Sequence, residues 1–203
     1  MKPALLFFFA ITLLCCHQSK EIKNKSYTLS EDPYTASDKG QQLRPEFSKL
    51  KFDILHNWDF GWAILEPINI AKSRADDKEL SKRFSSGQKA LYFFWYLDEE
   101  VTNGGFIQFY VNEYREYLPA IKKGLILIGD QEMIDLISKA DEYYLNNKDS
   151  FNELKKNNKQ ELIFSKLEKF NEYDEAYYKI HDNTMKFLEK YARKHPYEFV
   201  ILK

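Results

Sequence analysis

Residues 99–113 read EEVTNGGFIQFYVNE, and this stretch decides how the chain can fold. Gly104 and Gly105 are two of seven glycines in 203 residues, and an aromatic run follows them directly. Glycine costs about 1 kcal/mol relative to alanine inside a helix, but it accepts backbone conformations that other residues avoid. The pair therefore predicts a tight corner, at which one helix ends and the next begins.

The side chains around the glycines suggest how the corner is held together. Asn103 can adopt a left-handed conformation or cap the second helix, and Phe106 would pack that helix against the first. Gln108 and Asn112 are four residues apart on one helical stripe, where their amides can form a hydrogen bond. These residues fit a structural corner or a ligand- or partner-binding corner, and the sequence leaves both readings open.

A cluster of carboxylates, Asp98, Glu99 and Glu100, directly precedes the corner. Such groups can accept the backbone N–H groups that a helix break leaves free. Paired carboxylates can also perform acid–base chemistry or bind a hard cation. No histidine stands at a metal-binding spacing, and the chain has no nucleophile or phosphate-loop motif. The sequence therefore predicts no catalytic residue, no metal site and no cofactor.

Helical periodicity continues on both sides of the corner and predicts an all-α fold. Ser85 or Ser86 can cap the helix that leads into the corner. Pro119 suits the first turn of a later helix, Gly129 suits its end, and Asp130 suits the cap of the next. We expect a single compact multi-helix domain. The β-prone ending EFVILK is isolated, and one strand cannot form a sheet.

The domain is predicted to span residues 44–203, and the chain before it has a different character. Residues 17–43 are polar and lack apolar periodicity, which is typical of a flexible tether. Residues 1–16 begin with a basic charge and continue with an apolar run that is too short to span a bilayer as a helix. This leader ends in LLCC and resembles a bacterial lipoprotein signal peptide.

The lipoprotein resemblance implies that Cys16 is acylated and becomes the mature N-terminus, with Cys15 as the fallback. We therefore expect a lipid-anchored protein of the cell envelope, with a secreted or periplasmic soluble protein as the alternative. Both cysteines of the chain lie in the leader, so the domain has no disulfide framework.

The formal net charge of −1 gives the whole chain no strong field. Residues 98–182, however, contain 18 acidic and 11 basic residues, so the middle of the chain is moderately acidic. Solvated helix faces account for such a balance without any ligand. We therefore expect no direct binding of nucleic acid.

The corner and its flanks also resemble the signature of a bacterial DNA-mimic protein family, whose pattern is approximately E-V-x-N-G-G-F-x-Q-F-x-x-N. The matching residues are Glu100, Val101, Asn103, Gly104, Gly105, Phe106, Gln108, Phe109 and Asn112. A later acidic D-x-x-Y-Y stretch and a closing H-P-x-x-F extend the resemblance over about residues 72–199. The resemblance implies an all-helical domain and an acidic surface that imitates DNA phosphates.

Three functions follow from these observations. The first is a non-enzymatic protein-interaction module that is anchored to a membrane by its N-terminal lipid and binds an unidentified protein partner. The second is a small-ligand-binding protein or enzyme that uses the polar corner around Glu99–Asn112. The third is a DNA mimic that occupies a DNA-binding protein. The sequence leaves the oligomeric state open, and a dimer is compatible with it.

Overall fold

The computed structural model describes residues 34, 42–156, 165 and 167–203. Within these residues, eight α-helices form almost all of the regular structure, so the all-α prediction is confirmed. The helices are α1 (Lys49–Ile54), α2 (Asn57–Leu65), α3 (Arg74–Ser81), α4 (Ser86–Val111), α5 (Leu118–Ile128), α6 (Gln131–Asn146), α7 (Lys148–Lys156) and α8 (Lys169–Lys194). Three 3₁₀ turns (Glu66–Ile68, Tyr114–Tyr117 and Pro196–Glu198) and two short strands, β1 (Glu46–Phe47) and β2 (Ile201–Leu202), are also present.

Helix α4 forms the centre of the domain, with α2, α5 and α8 packed around it. Its apolar positions are buried on nearly every side, as expected for a central helix. The predicted cap at Ser85 is confirmed: its hydroxyl accepts from the N–H of Gln88, and the Gln88 carboxamide accepts from the N–H of Ser85, both at 2.9 Å. This reciprocal capping box fixes the point at which α4 begins.

The connection between α5 and α6 also follows the prediction. Gly129 has φ +82° and ends α5 in the left-handed conformation. Asp130 then caps α6 by accepting from the N–H of Met133 at 3.1 Å. The second oxygen of the same carboxylate accepts from the Thr184 hydroxyl of α8 at 2.5 Å. One buried side chain therefore starts a helix and ties it to another.

The C-terminal strand pairs with a segment from the other end of the domain. Strand β2 runs parallel to β1, with the N–H of Ile201 donating to the carbonyl of Pro45 at 2.8 Å and that of Lys203 to the carbonyl of Phe47 at 2.9 Å. The prediction that EFVILK is isolated was wrong. Its partner lies more than 150 residues away, so local sequence could not reveal the pairing.

The segment predicted as a tether contains three described residues, and all three contact the domain. The ring of Tyr34 is almost fully buried against Phe93 and Tyr117, with centroid distances of 4.8 and 5.1 Å. Gln42 donates to the carbonyl of Glu198 at 3.1 Å, and the N–H of Leu43 donates to the carbonyl of Arg83 at 2.9 Å. The packed part of the chain therefore includes these residues.

The predicted leader, including Cys15 and Cys16, lies outside the described residues, as does the remainder of the predicted tether. Among the helices that the structure describes, none combines the length and the apolar composition needed to cross a membrane.

Gln88 provides a test of how the two ends of the domain are joined. Its buried amide nitrogen donates to the carbonyls of Leu43 and Phe199 at 2.6 and 3.1 Å. We expect Gln88→Ala to lower the free energy of unfolding by about 1–3 kcal/mol, because it removes the capping box and leaves both carbonyls unpaired. Urea unfolding followed by circular dichroism would measure this.

The matched control for Gln88→Ala is Ser86→Ala, at an exposed position in the same turn. It should change the free energy of unfolding by less than about 0.5 kcal/mol. Equal effects of the two substitutions would contradict the role assigned to Gln88.

Candidate functional site

The predicted corner is a break within α4. Gly104 has φ −155° and ψ 23°, and Gly105 has φ 73° and ψ 180°, so both residues leave the helical conformation while helical residues continue on either side. A positive φ is costly for any residue with a side chain. The prediction that the glycine pair separates two helical segments is confirmed.

Helix α8 replaces the hydrogen bond that the break removes. In an uninterrupted α-helix, the N–H of Phe106 would donate to the carbonyl of Thr102. Here that N–H donates to a carboxylate oxygen of Asp174 at 2.8 Å. The hydroxyl of Tyr178 is directed at the freed carbonyl of Thr102 at 3.2 Å and at that of Val101 at 3.3 Å. Both ends of the broken bond are therefore satisfied by side chains of one helix.

Tyr177, next to Tyr178 in α8, also connects α8 to α4. The hydroxyl of fully buried Tyr177 donates to a carboxylate oxygen of Asp98 at 2.8 Å. Its ring packs edge-on against Phe106, with a centroid distance of 6.0 Å. The D-x-x-Y-Y stretch therefore contacts α4 both before and after the break. Asp174 and Tyr178 were not predicted as site residues; their spacing in this stretch was the available signal.

The predicted hydrogen bond between the side chains of Gln108 and Asn112 is not formed, so that prediction was wrong. The amide nitrogen of Asn103 lies 3.4 Å from the side-chain oxygen of Gln108, a long hydrogen bond. Asn112 instead donates to the buried carboxylate of Glu100 at 2.8 Å. Twelve residues of straight helix would span about 18 Å. The contact therefore shows that the second segment of α4 folds back beside the first, which the sequence spacing alone did not reveal.

The carboxylates before the break have other roles than those predicted. Glu100 binds Asn112 rather than a free backbone N–H, and Glu99 is exposed. The backbone acceptor is Asp174, 68 residues further along the chain. Phe106 and Phe109, which follow the glycine pair, are fully buried.

Asp98 occupies the most unusual electrostatic environment of the site. Burial raises the pKa of this carboxyl from 3.8 to about 6, against the opposing effects of the Tyr177 hydroxyl and His181. Nδ1 of His181 lies 3.5 Å from the Asp98 carboxylate, and it is buried without a hydrogen-bond partner among the described residues. The imidazole ring stacks on Tyr177 at 5.6 Å.

Another buried carboxylate, that of Asp77, is held by tyrosine hydroxyls. Asp77, in the first turn of α3, accepts hydrogen bonds from the hydroxyls of Tyr92, Tyr96 (3.1 Å) and Tyr117 (2.6 Å). Asp77 was not predicted as a site residue. The four-residue spacing of Tyr92 and Tyr96 was the only available signal, since Tyr117 arrives from a separate turn.

A cavity between α2, α4 and α8, lined by residues such as Phe60, Leu91 and Met185, has no room for a water molecule and contains no residue of the corner. The described part of the chain also has no group of three histidine, cysteine or carboxylate side chains arranged to hold a metal ion. The polar groups of the corner contact other residues of α4 and α8.

The chain is therefore an all-helical domain whose central helix is broken at a glycine pair and held there by side chains of α8. The family model described as DMP19-like protein matches residues 82–195, more than half of the chain. The chain belongs to this family, which is a DNA-mimic family. The match extends from the approach to α4 to the end of α8. No curated protein matches the chain.

Gly105 tests the geometry of the break. A Cβ atom at this position would lie 2.3 Å from a carboxylate oxygen of Asp174. We expect Gly105→Ala to lower the free energy of unfolding by about 3 kcal/mol or more, because it adds the cost of a positive φ to the loss of the bond between Asp174 and Phe106. Denaturant unfolding would measure the change.

Gly129 is the matched control for that substitution, because it also has a positive φ but a Cβ atom there would meet nothing within 4 Å. Gly129→Ala should cost only the backbone term, about 1–2 kcal/mol. If the two substitutions cost the same, Asp174 does not hold the break in the way described.

Asp98 provides a test by pH. Between pH 3.8 and about 6, the folded chain holds a proton on Asp98 that the unfolded chain has released. This contribution stabilises the fold at low pH and is lost as the pH rises through that window. Relative to Asp98→Asn, which keeps an acceptor for Tyr177, the wild type should therefore lose stability as the pH rises from 3.8 to about 6, measured by urea unfolding. Asp149→Asn, an exposed control, should show no such difference, and a flat difference for Asp98→Asn would refute the assignment.

Proposed function

We propose that this chain is a non-enzymatic protein-interaction module that a lipid on Cys16 holds at a membrane of the cell envelope. The observation that carries the proposal is that the polar groups of the corner form hydrogen bonds within the domain. Asp174 and Tyr178 form hydrogen bonds with the backbone groups of the break, and Asn112 donates a hydrogen bond to Glu100. The polar groups that would otherwise bind a substrate therefore serve the fold, and the exposed helix faces remain for contact with a partner.

The membrane anchor rests on the leader. Its basic start, short apolar run and LLCC ending support acylation of Cys16, with Cys15 as the fallback. A domain held in this way meets its partners at or near the membrane surface. Its partner is a protein, and a dimer of the chain is compatible with this proposal.

The anchor is tested by feeding a palmitate analogue to bacteria that express the full-length chain. The wild type should be labelled, Cys16→Ala should abolish the label, and Cys15→Ala should retain it. The reverse pattern would move the modification to Cys15. Absence of label from the wild type, with the chain recovered outside the membrane fraction, would overturn the anchor.

The interaction is tested in the same cells by chemical crosslinking, followed by purification of the full-length chain. We expect a reproducible protein partner that is absent from cells lacking the chain. Capture of no specific protein, despite membrane localisation, would contradict the interaction module while leaving the anchor intact.

A second candidate is DNA mimicry, which family membership and the exposed carboxylates of α6 and α8 favour. These include Glu132, Asp135, Glu142, Glu172 and Glu175. Lysines interrupt the array, among them Lys139 and Lys169, whereas DNA presents phosphates at regular spacing. If the crosslinked partner binds duplex DNA, and DNA displaces it from the chain, mimicry replaces the first proposal.

A further inference from the structure

All three tryptophans of the chain lie together on one surface of the domain. The ring of Trp95 on α4 contacts those of Trp58 and Trp62 on α2, with centroid distances of 4.6 and 5.4 Å. His181 on α8 lies 6.2 Å from Trp58 and 6.3 Å from Tyr178. We call these five side chains the tryptophan face.

The tryptophan face is partly open to solvent. Trp62 is 41% exposed and Tyr178 is 50% exposed, while the other three side chains are partly buried. No indole N–H of the face donates a hydrogen bond to any residue that the structure describes. Exposed clusters of large aromatic rings are a feature of interfaces, because such rings bury much area at little entropic cost.

Each helix of the tryptophan face also places an exposed carboxylate beside an aromatic ring. Asp59 is three residues before Trp62, and residue pairs at this spacing are neighbours on a helix surface. Glu99 follows Trp95 by four residues, and Asp182 follows Tyr178 by four. Asp59 and Glu99 form no ion pair with a described residue, and Asp182 only approaches His181, at 3.7 Å. The rim of the face is therefore anionic.

Cations of the domain cover other aromatic rings but not these. Arg74 stacks on Tyr114 at 4.9 Å, and Arg193 stacks on Phe60 at 4.5 Å. Across the described residues, no lysine or arginine makes a cation–π contact with Trp58, Trp62 or Trp95. Lys179 and Lys186 are the lysines of α8 closest to the face in sequence. They make no ion pair or cation–π contact with it.

We propose that the tryptophan face binds an arginine- or lysine-rich segment of a partner protein. Tryptophan is the best cation–π platform among the side chains, and the carboxylates on the rim would pair with the same cations. The negative rim repels nucleic acid and anionic lipid, so charge complementarity selects a basic peptide. This inference rests on the proposed interaction module and specifies the chemistry of its partner.

The three tryptophans make the face its own reporter, because the chain has no others. We would titrate the purified full-length chain, in non-ionic micelles, with a flexible peptide of alternating arginine and glycine, and with a matched peptide of glutamate and glycine. The arginine peptide should shift or quench the tryptophan emission in a saturable way, and the glutamate peptide should not. Trp62→Ala should raise the Kd about fivefold, read by anisotropy of a labelled peptide.

Charge is tested with two double variants of equal net charge. Glu99→Gln/Asp182→Asn removes two carboxylates from the rim, whereas Asp135→Asn/Glu142→Gln removes two from α6. The first pair should weaken binding at least about fivefold, and the second should change it by less than about twofold. Equal weakening by both pairs would show non-specific attraction and would overturn the proposal.

Two other outcomes would also overturn it. One is the absence of any response to the arginine peptide. The other is a blue shift on addition of phosphatidylcholine vesicles without a peptide response, which would assign the tryptophan face to the membrane. A partner that crosslinks equally well to the wild type and to Trp62→Ala would refute this inference alone and leave the interaction module standing.

Discussion

The missing hydrogen bond between Phe106 and Thr102 is the constraint on which the rest of the domain depends. A helix broken inside a protein core exposes a donor and an acceptor, and leaving both unpaired would cost several kcal/mol in total. Asp174 and Tyr178 supply the two replacements from a single turn of α8. Because they must reach both sides of the break at once, they fix the position of α8 relative to both segments of α4.

Buried carboxylates elsewhere in the domain are also satisfied by side-chain donors. Asp77 is bound by three tyrosine hydroxyls, Asp98 by the hydroxyl of Tyr177, and Asp141 by Arg115 in a two-point contact. A tyrosine fills apolar space with its ring and still offers a donor at its tip. The high tyrosine content therefore provides cross-links between helices in a domain without a disulfide.

Local features of the fold could be predicted, because their physical causes are local. The glycine pair indicated the break, Ser85 indicated the start of α4, and Gly129 with Asp130 indicated the boundary between α5 and α6. Each depends on backbone conformation or on a cap within three residues. These positions needed no knowledge of the tertiary structure.

The features that escaped prediction depend on residues distant in the sequence. Asp174, the partner of Phe106, is 68 residues away in the sequence. Glu100, the partner of Asn112, lies on the other side of the break, and the spacing of a straight helix does not bring these two residues together. Asp77 is a buried hub only because Tyr117 reaches it from another turn. An acidic residue at the start of a helix is usually solvated, so no local rule separates this carboxylate from its exposed neighbour Asp76.

The parallel pairing of β1 with β2 has a consequence for how the domain is made. Residues 44–47 bond to residues 197–203, so these bonds cannot form until residues 197–203 have been synthesised. Contacts of such long sequence separation form late and slowly. The pairing of β1 with β2 is therefore a late step in the folding of the domain.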